Sequence, residues 1–343
     1  MTALVTGATG FFGSHLVEIL RAEGIAVRAL VRPTSDTTML DRLGVSCAVG
    51  SLEDAESLRR ASEGCDLVYH CAARVDILGT PDEFHETTVE GTRRMMQAAR
   101  DAGVRRFVHV SSCGIYHPDL LTDGRTITEA TPTPLPPDWF TYARAKYHAE
   151  QVVKEFDGGA MEWVIIRLAY LYGPRNRVMH SHLRPVLADG IMMIIGDGSN
   201  NLAMIYVTDA ARAAHRAGTV PAAAGKVLIA APNEGVTQRQ YFDALADGFG
   251  LPRCKKSVPY GVAFFFARMG EAFIKSGPRA AAMRRSAVAL TGLPQRIDCT
   301  FTQQLLGWTP NTPFAEGIRK SFEWYREEYR VVKENHEIAE PRP

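Results

Sequence analysis

At 343 residues, 46% of them hydrophobic, the chain exceeds what one core usually fills, so a main domain and a smaller one are expected. Its 39 lysines and arginines nearly cancel its 38 aspartates and glutamates, and no long single-sign run appears, which excludes a nucleic-acid or polyanion partner. Six cysteines (Cys47, Cys65, Cys71, Cys113, Cys254, Cys299) lie scattered without a C-x-x-C pair, which argues for reduced thiols in a cytoplasm and against a disulfide frame or metal site.

The opening "MTALVTGATG" enters a strand and a glycine turn at once, leaving no room for a secretion signal. Short β-branched runs predict strands at residues 2–6, 26–31, 45–49, 66–70, 106–111, 163–167 and 226–230. Amphipathic patterns predict helices between them, among them 12–23, 83–102 and 142–156. Such alternation means right-handed βαβ crossovers and a doubly wound α/β fold, a parallel Rossmann sheet covered on both faces. After Gly173 the pattern turns to helices and Pro/Gly-rich loops, which predicts a smaller, mainly helical substrate domain interleaved with the first. The expected division is a dinucleotide-binding domain of residues 1–172 and 206–233, a substrate domain of 173–205 and 234–330, and a tail of 331–343. The most apolar stretch, 258–277, is broken by Arg268 and Glu271 and is too short and too charged to span a bilayer.

Between the first strand and the first helix, "TGATGFFG" sets glycines at positions 7, 10 and 13. Glycine there lets the backbone approach a pyrophosphate, whose charge is favoured by the free N–H groups and the positive dipole end of the helix. The second strand ends in Val31 where an acid would hold a ribose hydroxyl, and Arg32 follows, able to fork onto a 2′-phosphate. NADP(H) is therefore favoured over NAD(H), with a solvated surface arginine as the alternative. Tyr142 and Lys146 stand four apart, on one face of a helix. Spacing alone does not separate them from Tyr329 and Lys333, which repeat it in a charged C-terminal helix without strand or glycine turn nearby.

These marks occur in order with "HCAA" (His70 to Ala73), "VSS" (Val110 to Ser112), "RLAYLYGPRN" (Arg167 to Asn176), "GDGSNNLAMIYVTDAARA" (Gly196 to Ala213) and "LLGWTPNTPFAEGI" (Leu305 to Ile318). Together with the G-x-x-G-x-x-G turn they resemble the extended short-chain dehydrogenase/reductase family, of the NAD-dependent epimerase/dehydratase superfamily. The resemblance implies Tyr142 and Lys146 as the catalytic pair and Ser112 as the third member, with Ser111 competing. It implies cofactor contacts at Gly7, Gly10, Phe11, Phe12, Gly13, Arg32, Ser51, Leu52, Ala72 and Ala73, besides Tyr142 and Lys146. A lysine cation about 4 Å from the phenol, at an effective dielectric near 20, would favour the phenolate by roughly 4 kcal/mol before desolvation, bringing Tyr142 toward neutrality. Three departures are Thr88 where the family has asparagine, Ser51 where it has aspartate, and Leu168 where it has proline.

For the substrate, Cys113-Gly114 stands where dehydratases of the family carry Asp-Glu, which argues against dehydration. Epimerases carry an arginine after the "GDG" loop; here Asn201 stands there, and Arg175, Arg177 and Arg184 could substitute. Val262, Phe265, Phe266, Met269 and Phe273 form a broad apolar helix face, read as a substrate lid or as a plain core helix. With "VDILG" (Val75 to Gly79) it resembles the 3β-hydroxysteroid dehydrogenase branch. That implies a CH–OH oxidoreductase acting on a small lipophilic secondary alcohol or ketone, sterol- or steroid-like, held by Asp76, Leu78, Phe265, Phe266 and Met269. A nucleotide-sugar 4-epimerase with tightly bound NAD is the alternative, and a non-catalytic dinucleotide sensor a third. A homodimer is expected, and contact of residues 258–277 with a membrane is left open.

Overall fold

The computed structural model of the chain describes residues 1–75, 79–274, 280 and 282–339, with His180 and residues 329–339 described by backbone alone. Asp76 and Leu78, expected at the substrate, lie outside the described residues.

Seven strands, β1 (Thr2–Thr6), β2 (Ala26–Val31), β3 (Ser46–Val49), β4 (Leu67–His70), β5 (Arg106–Ser112), β6 (Glu162–Leu168) and β11 (Val227–Ala230), form one sheet in the order β11-β6-β5-β4-β1-β2-β3. Every pairing in it is parallel. The order reverses at β1, whose neighbours are β2 and β4, and the crevice beyond the C-terminal ends of such strands is where open α/β sheets take their ligands.

The two-residue period of the strands divides the core between two faces. Ala3 and Val5 point to one face with Val108 and Ile166, under α1 (Phe11–Ala22) and α9 (Val207–Thr219). Leu4 points to the other with Phe107 and Ile165, under α3 (Ala55–Ser62), α5 (Gly91–Asp101) and α7 (Thr141–Glu155). The short helices α2 (Thr38–Arg42), α4 (Pro81–Phe84) and α6 (Asp119–Thr122) fill connections. The helix expected over 83–102 is present as one unbroken run, α4 passing through a π-helical turn at His85–Glu90 into α5. The wider turn brings Thr88 inward, buried, against the loop after β4.

Past Tyr170 a separate apolar cluster forms from Tyr172, Leu187, Met204, Tyr206, Tyr241, Phe242, Leu245 and Phe322. Its frame is made of short strand pairs: β7 (Tyr170–Tyr172) with β10 (Met204–Tyr206), β9 (Asn201–Leu202) with β12 (Val236–Thr237), and β8 (Ile194–Ile195) with β13 (Ser257–Val258). Around these lie α8 (Arg184–Ala188), α10 (Gln238–Phe249), α11 (Tyr260–Phe273), α12 (Arg285–Gly292), α13 (Thr300–Leu306) and α14 (Phe314–Ala339). Among the described residues no helix is long and apolar enough to cross a membrane.

Candidate functional site

At the end of β1 the chain turns on Gly7, whose φ of +69° disfavours any side chain; a Cβ there would stand 2.9 Å from the Ala72 nitrogen. A Cβ on Gly13 would fall 2.1 Å from the Gly7 carbonyl oxygen, so only glycine lets α1 start this close to the loop. Gly10 occupies the N-cap position of α1 with no side-chain cap, leaving the N–H groups of the first turn free for an anion. Phe11 begins that turn, and buried Phe12 anchors it in the core. A pyrophosphate fits this cradle.

Opposite Gly7, the loop after β4 is held by a buried chain of hydrogen bonds. Ala72 N–H donates to Thr6 Oγ1 (3.1 Å), which lies 2.9 Å from His70 Nδ1; His70 Nε2 lies 3.1 Å from Thr92 Oγ1, which donates to the Thr88 carbonyl at 2.6 Å. Since the Thr92 hydroxyl is committed to Thr88, His70 Nε2 must carry the ring proton and Nδ1 must accept from Thr6. Burial holds His70 neutral, down to about 3, and nearby Lys146 adds to the effect. Thr88 Oγ1 also accepts from the Arg74 N–H at 3.2 Å, so the threonine keeps this loop tied. Ala72 and Ala73 thereby flank the glycine turn. Ser51 and buried Leu52 follow β3, with Ser51 Oγ capping the Glu53 N–H at 3.3 Å.

Ser112 ends β5 and Tyr142 lies in the first turn of α7, and the Ser112 hydroxyl, which accepts from the Gly114 N–H at 3.0 Å, sits close enough to the phenol to favour its ionised form. A Cβ on Gly114 would lie 3.2 Å from Ser112 Oγ and 3.9 Å from Tyr142 Cε1, so the glycine leaves this pair uncovered. Ser111 is otherwise engaged: its hydroxyl donates to Glu150 Oε1 at 2.7 Å, and Arg167 grips the same carboxylate at 2.9 and 2.7 Å while donating to the Tyr116 hydroxyl. The two serines are thus distinct, Ser112 facing Tyr142 and Ser111 closing a buried network.

The electrostatics differ from the sequence expectation. Lys146 is buried and donates from Nζ to the Val110 carbonyl at 2.8 Å, and burial lowers its pKa to about 8. Burial pushes the Tyr142 phenol up, with the Ser112 hydrogen bond opposing. Tyr142 is therefore not brought toward neutrality by the lysine, because the ammonium is desolvated and engaged by a main-chain oxygen.

Several roles were not visible in the sequence. Glu150 and Arg167 brace β5, β6 and α7 behind the reactive pair. Arg175 takes a left-handed backbone (φ 69°) and clasps α1, donating to both Glu18 oxygens (2.9 and 2.5 Å) and to His15 Nδ1 (2.6 Å). Burial and that guanidinium lower His15 to about 4. So engaged, Arg175 is not free to meet a substrate diphosphate. Beside Asn201, however, a cavity of about 340 Å³ includes Arg296 in its wall with Ser199, Asn200 and Asp197. Asp197 is turned onto the Ser199 N–H and hydroxyl, and Asn200 Oδ1 is buried without a hydrogen-bond partner.

The substrate face expected on α11 points the other way. Phe265 and Phe266 are 59 and 58% exposed and Met269 45%, whereas Phe264, just before them, meets Trp139 at 5.4 Å between ring centroids. Among the described residues, Phe265, Phe266 and Met269 belong to none of the buried apolar clusters. Arg32, just past β2, is exposed, its N–H bonded to Ser35 Oγ.

Residues 3–230 match the model of the NAD dependent epimerase/dehydratase family. The 4-hydroxy-2-methyl-3-oxo-4-farnesyl-3,4-dihydroquinoline-1-oxide ketoreductase of Stigmatella aurantiaca is 29% identical, over 93% of this chain and 95% of its own. MoeE5, solved with UDP-glucuronic acid and NAD, is similar with a TM-score of 0.71 and 26% identity, covering 96% of this chain and all of its own. The dTDP-glucose 4,6-dehydratase DesIV of Streptomyces venezuelae, solved with NAD and TYD, gives 0.73 and 25%, covering 95 and 97%. Two expectations are corrected. NADP(H) gives way to NAD(H), the dinucleotide in both solved structures, with Arg32 solvated at the surface. The small lipophilic substrate falls because the residues that argued for it face solvent and the structures hold nucleotide-type ligands instead.

Proposed function

Since the chain belongs to the NAD dependent epimerase/dehydratase family and is an NAD(P)-dependent oxidoreductase of that kind, we propose that it oxidises and re-reduces a secondary alcohol carbon of a nucleotide sugar, as a 4-epimerase with retained NAD. The observation that carries the chemistry is the Ser112–Tyr142 pair, left uncovered by Gly114 at the C-terminal end of β5, the same end of the parallel sheet as the Gly7–Gly13 cradle. When bound, NAD supplies the hydride acceptor and donor. In the oxidising direction Tyr142 acts as the phenolate that accepts the alcohol proton, and in the reducing direction it returns that proton to the carbonyl oxygen, while Ser112 orients the oxygen and favours the phenolate against burial. Lys146 is poised to exchange its Val110 bond for ribose hydroxyls. Arg296 is the candidate to meet the diphosphate, and its cavity beside the "GDG" loop supports the nucleotide-sugar class. Cys113 supplies no acid or base, since burial pushes its thiol up, and this favours epimerisation over dehydration. On this reading residues 1–172 and 206–233 form the cofactor domain and 173–205 and 234–330 the substrate domain, a division supported by the separate apolar cluster.

A second reading, one-way reduction of a ketone with exchangeable NADH, is favoured by the name and near full-length coverage of the Stigmatella relative. Denaturing the purified protein and assaying released NAD, then offering UDP-glucose and UDP-galactose, separates the two. Retained NAD with interconversion is expected. A cofactor-free protein that consumes NADH against a ketone and leaves both sugars unchanged would select the second reading.

A further inference from the structure

α11 leaves one whole face to solvent. Val262, Phe265, Phe266, Met269 and Phe273 are 43, 59, 58, 45 and 77% exposed, and at helical spacing they fall within an arc of roughly 100°. The helix does not need this face for its own packing. Its other side holds it, with Ala267 and Gly270 buried and Tyr260 and Phe264 packed on the cluster of Ile195 and Val288. Monomeric proteins scatter single apolar residues over their surfaces but seldom array five large ones on one convex helix.

The exposed charges on this helix and just before it that lack a partner have one sign, while the nearby acids Asp119 and Asp138 lie on the side of Tyr260 and Phe264. Lys255 and Lys256, just before the helix, and Arg268, on its flank, are exposed, and among the described residues none has a carboxylate within ion-pair distance. The single acid between Leu251 and Ile274 is Glu271, which is turned inward and bound to Arg285 at 2.7 Å. An apolar helix face rimmed by unpaired cations is complementary to the headgroup and acyl boundary of an anionic bilayer. The face is convex and its own unpaired charges are all positive, so two copies of it would repel.

We propose that α11 docks the protein on an anionic lipid surface, with Phe265, Phe266, Met269 and Phe273 entering the interface and Lys255, Lys256 and Arg268 facing the headgroups. None of these residues belongs to the Ser112–Tyr142 site, so docking is independent of the substrate assignment. It is a lateral attachment of a folded enzyme, not a span, and at the interface it is reversible and sensitive to salt.

The test is co-sedimentation of the full chain with vesicles of phosphatidylcholine alone and of phosphatidylcholine with about 30% phosphatidylglycerol. The wild type is expected to pellet with the anionic vesicles and to be released about fivefold or more by raised salt. Phe265→Ser with Phe266→Ser should weaken binding at least about tenfold with melting temperature and NAD affinity unchanged. Should that variant fail to fold, Lys255→Gln with Lys256→Gln disturbs no packing and should weaken binding to the anionic vesicles alone. A wild type that stays in the supernatant with both vesicles overturns the proposal. So does light scattering that shows a dimer separated into monomers by the serine variant, since a second copy would then cover the face.

Discussion

Lys146 and Val110 are joined by a hydrogen bond of 2.8 Å from the buried ammonium to the carbonyl of a β5 residue two positions before Ser112. The bond fixes the lysine one helical turn behind Tyr142, yet it does not repay desolvation, for the pKa of Lys146 stays near 8.

This gives a stability prediction with a definite sign. The folded pKa lies below the ordinary value of 10.5, so between about 8 and 10.5 the folded state binds fewer protons than the unfolded one, and stability rises with pH across that window. Below it the full penalty applies, on the order of 3 kcal/mol. Lys146→Met should therefore raise the melting temperature of the cofactor-free protein at pH 7, abolish turnover, and lose most of its stabilising advantage by pH 10. Thermal melts across that range decide it; a variant less stable than wild type at pH 7 would show that the ammonium is compensated.

Tyr142→Phe should cut turnover by about a hundredfold or more while leaving NAD affinity within about twofold, because the hydroxyl acts on the transferred proton and the ring keeps its packing on Phe84. Ser112→Ala should lower turnover similarly. Ser111→Ala should instead register in stability, since it strips a hydrogen bond from buried Glu150.

Glu150 and Arg167 set the acid limit of the fold. Burial alone would raise the Glu150 carboxyl, but the Arg167 fork, Ser111 and Lys154 together bring it below its ordinary value. A depressed carboxyl contributes stability that is complete above its unfolded pKa and is lost as pH falls through the folded one. Glu150→Ala should cost about 3–5 kcal/mol at pH 7, because it strands a buried guanidinium, and the double change Glu150→Leu with Arg167→Met should recover much of that. Urea melts of the three variants measure it; a double change as damaging as the single one would place the network's value in the charges themselves.

The strands and the glycine turn were legible because they are written locally: a period of two, a period near four, and glycines at fixed offsets. The expected strand bounds lie within one residue of β1 to β6 and β11. What was illegible joins residues far apart in the chain, such as Arg175 with Glu18, Arg167 with Glu150, and Arg296 with the loop around Asn201. The apolar period of α11 was visible too. But a period states only that one face differs from the other, and the side that found partners was that of Phe264, Ala267 and Gly270. Arg32 failed for a related reason, since an arginine past a strand end is equally at home on a phosphate or in water.

The cofactor gives the last prediction. β2 ends with the Val31 carbonyl accepting from Gly50 N–H at 2.9 Å, and Arg32 leaves the sheet there with its own N–H turned to Ser35. If its guanidinium stays in solvent, it makes no contact that distinguishes the two nicotinamide cofactors, and nothing at this strand end repays the two charges of a 2′-phosphate. The wild type should then bind NADH more tightly than NADPH, and Arg32→Ala should leave the NADH dissociation constant within about twofold. A guanidinium paired with a phosphate is a charge-assisted contact of about 1.5–3 kcal/mol, so a productive fork would make the same substitution cost NADPH roughly tenfold or more. Fluorescence titrations of both proteins with both cofactors distinguish these outcomes. A loss of that size confined to NADPH would return Arg32 to the cofactor site.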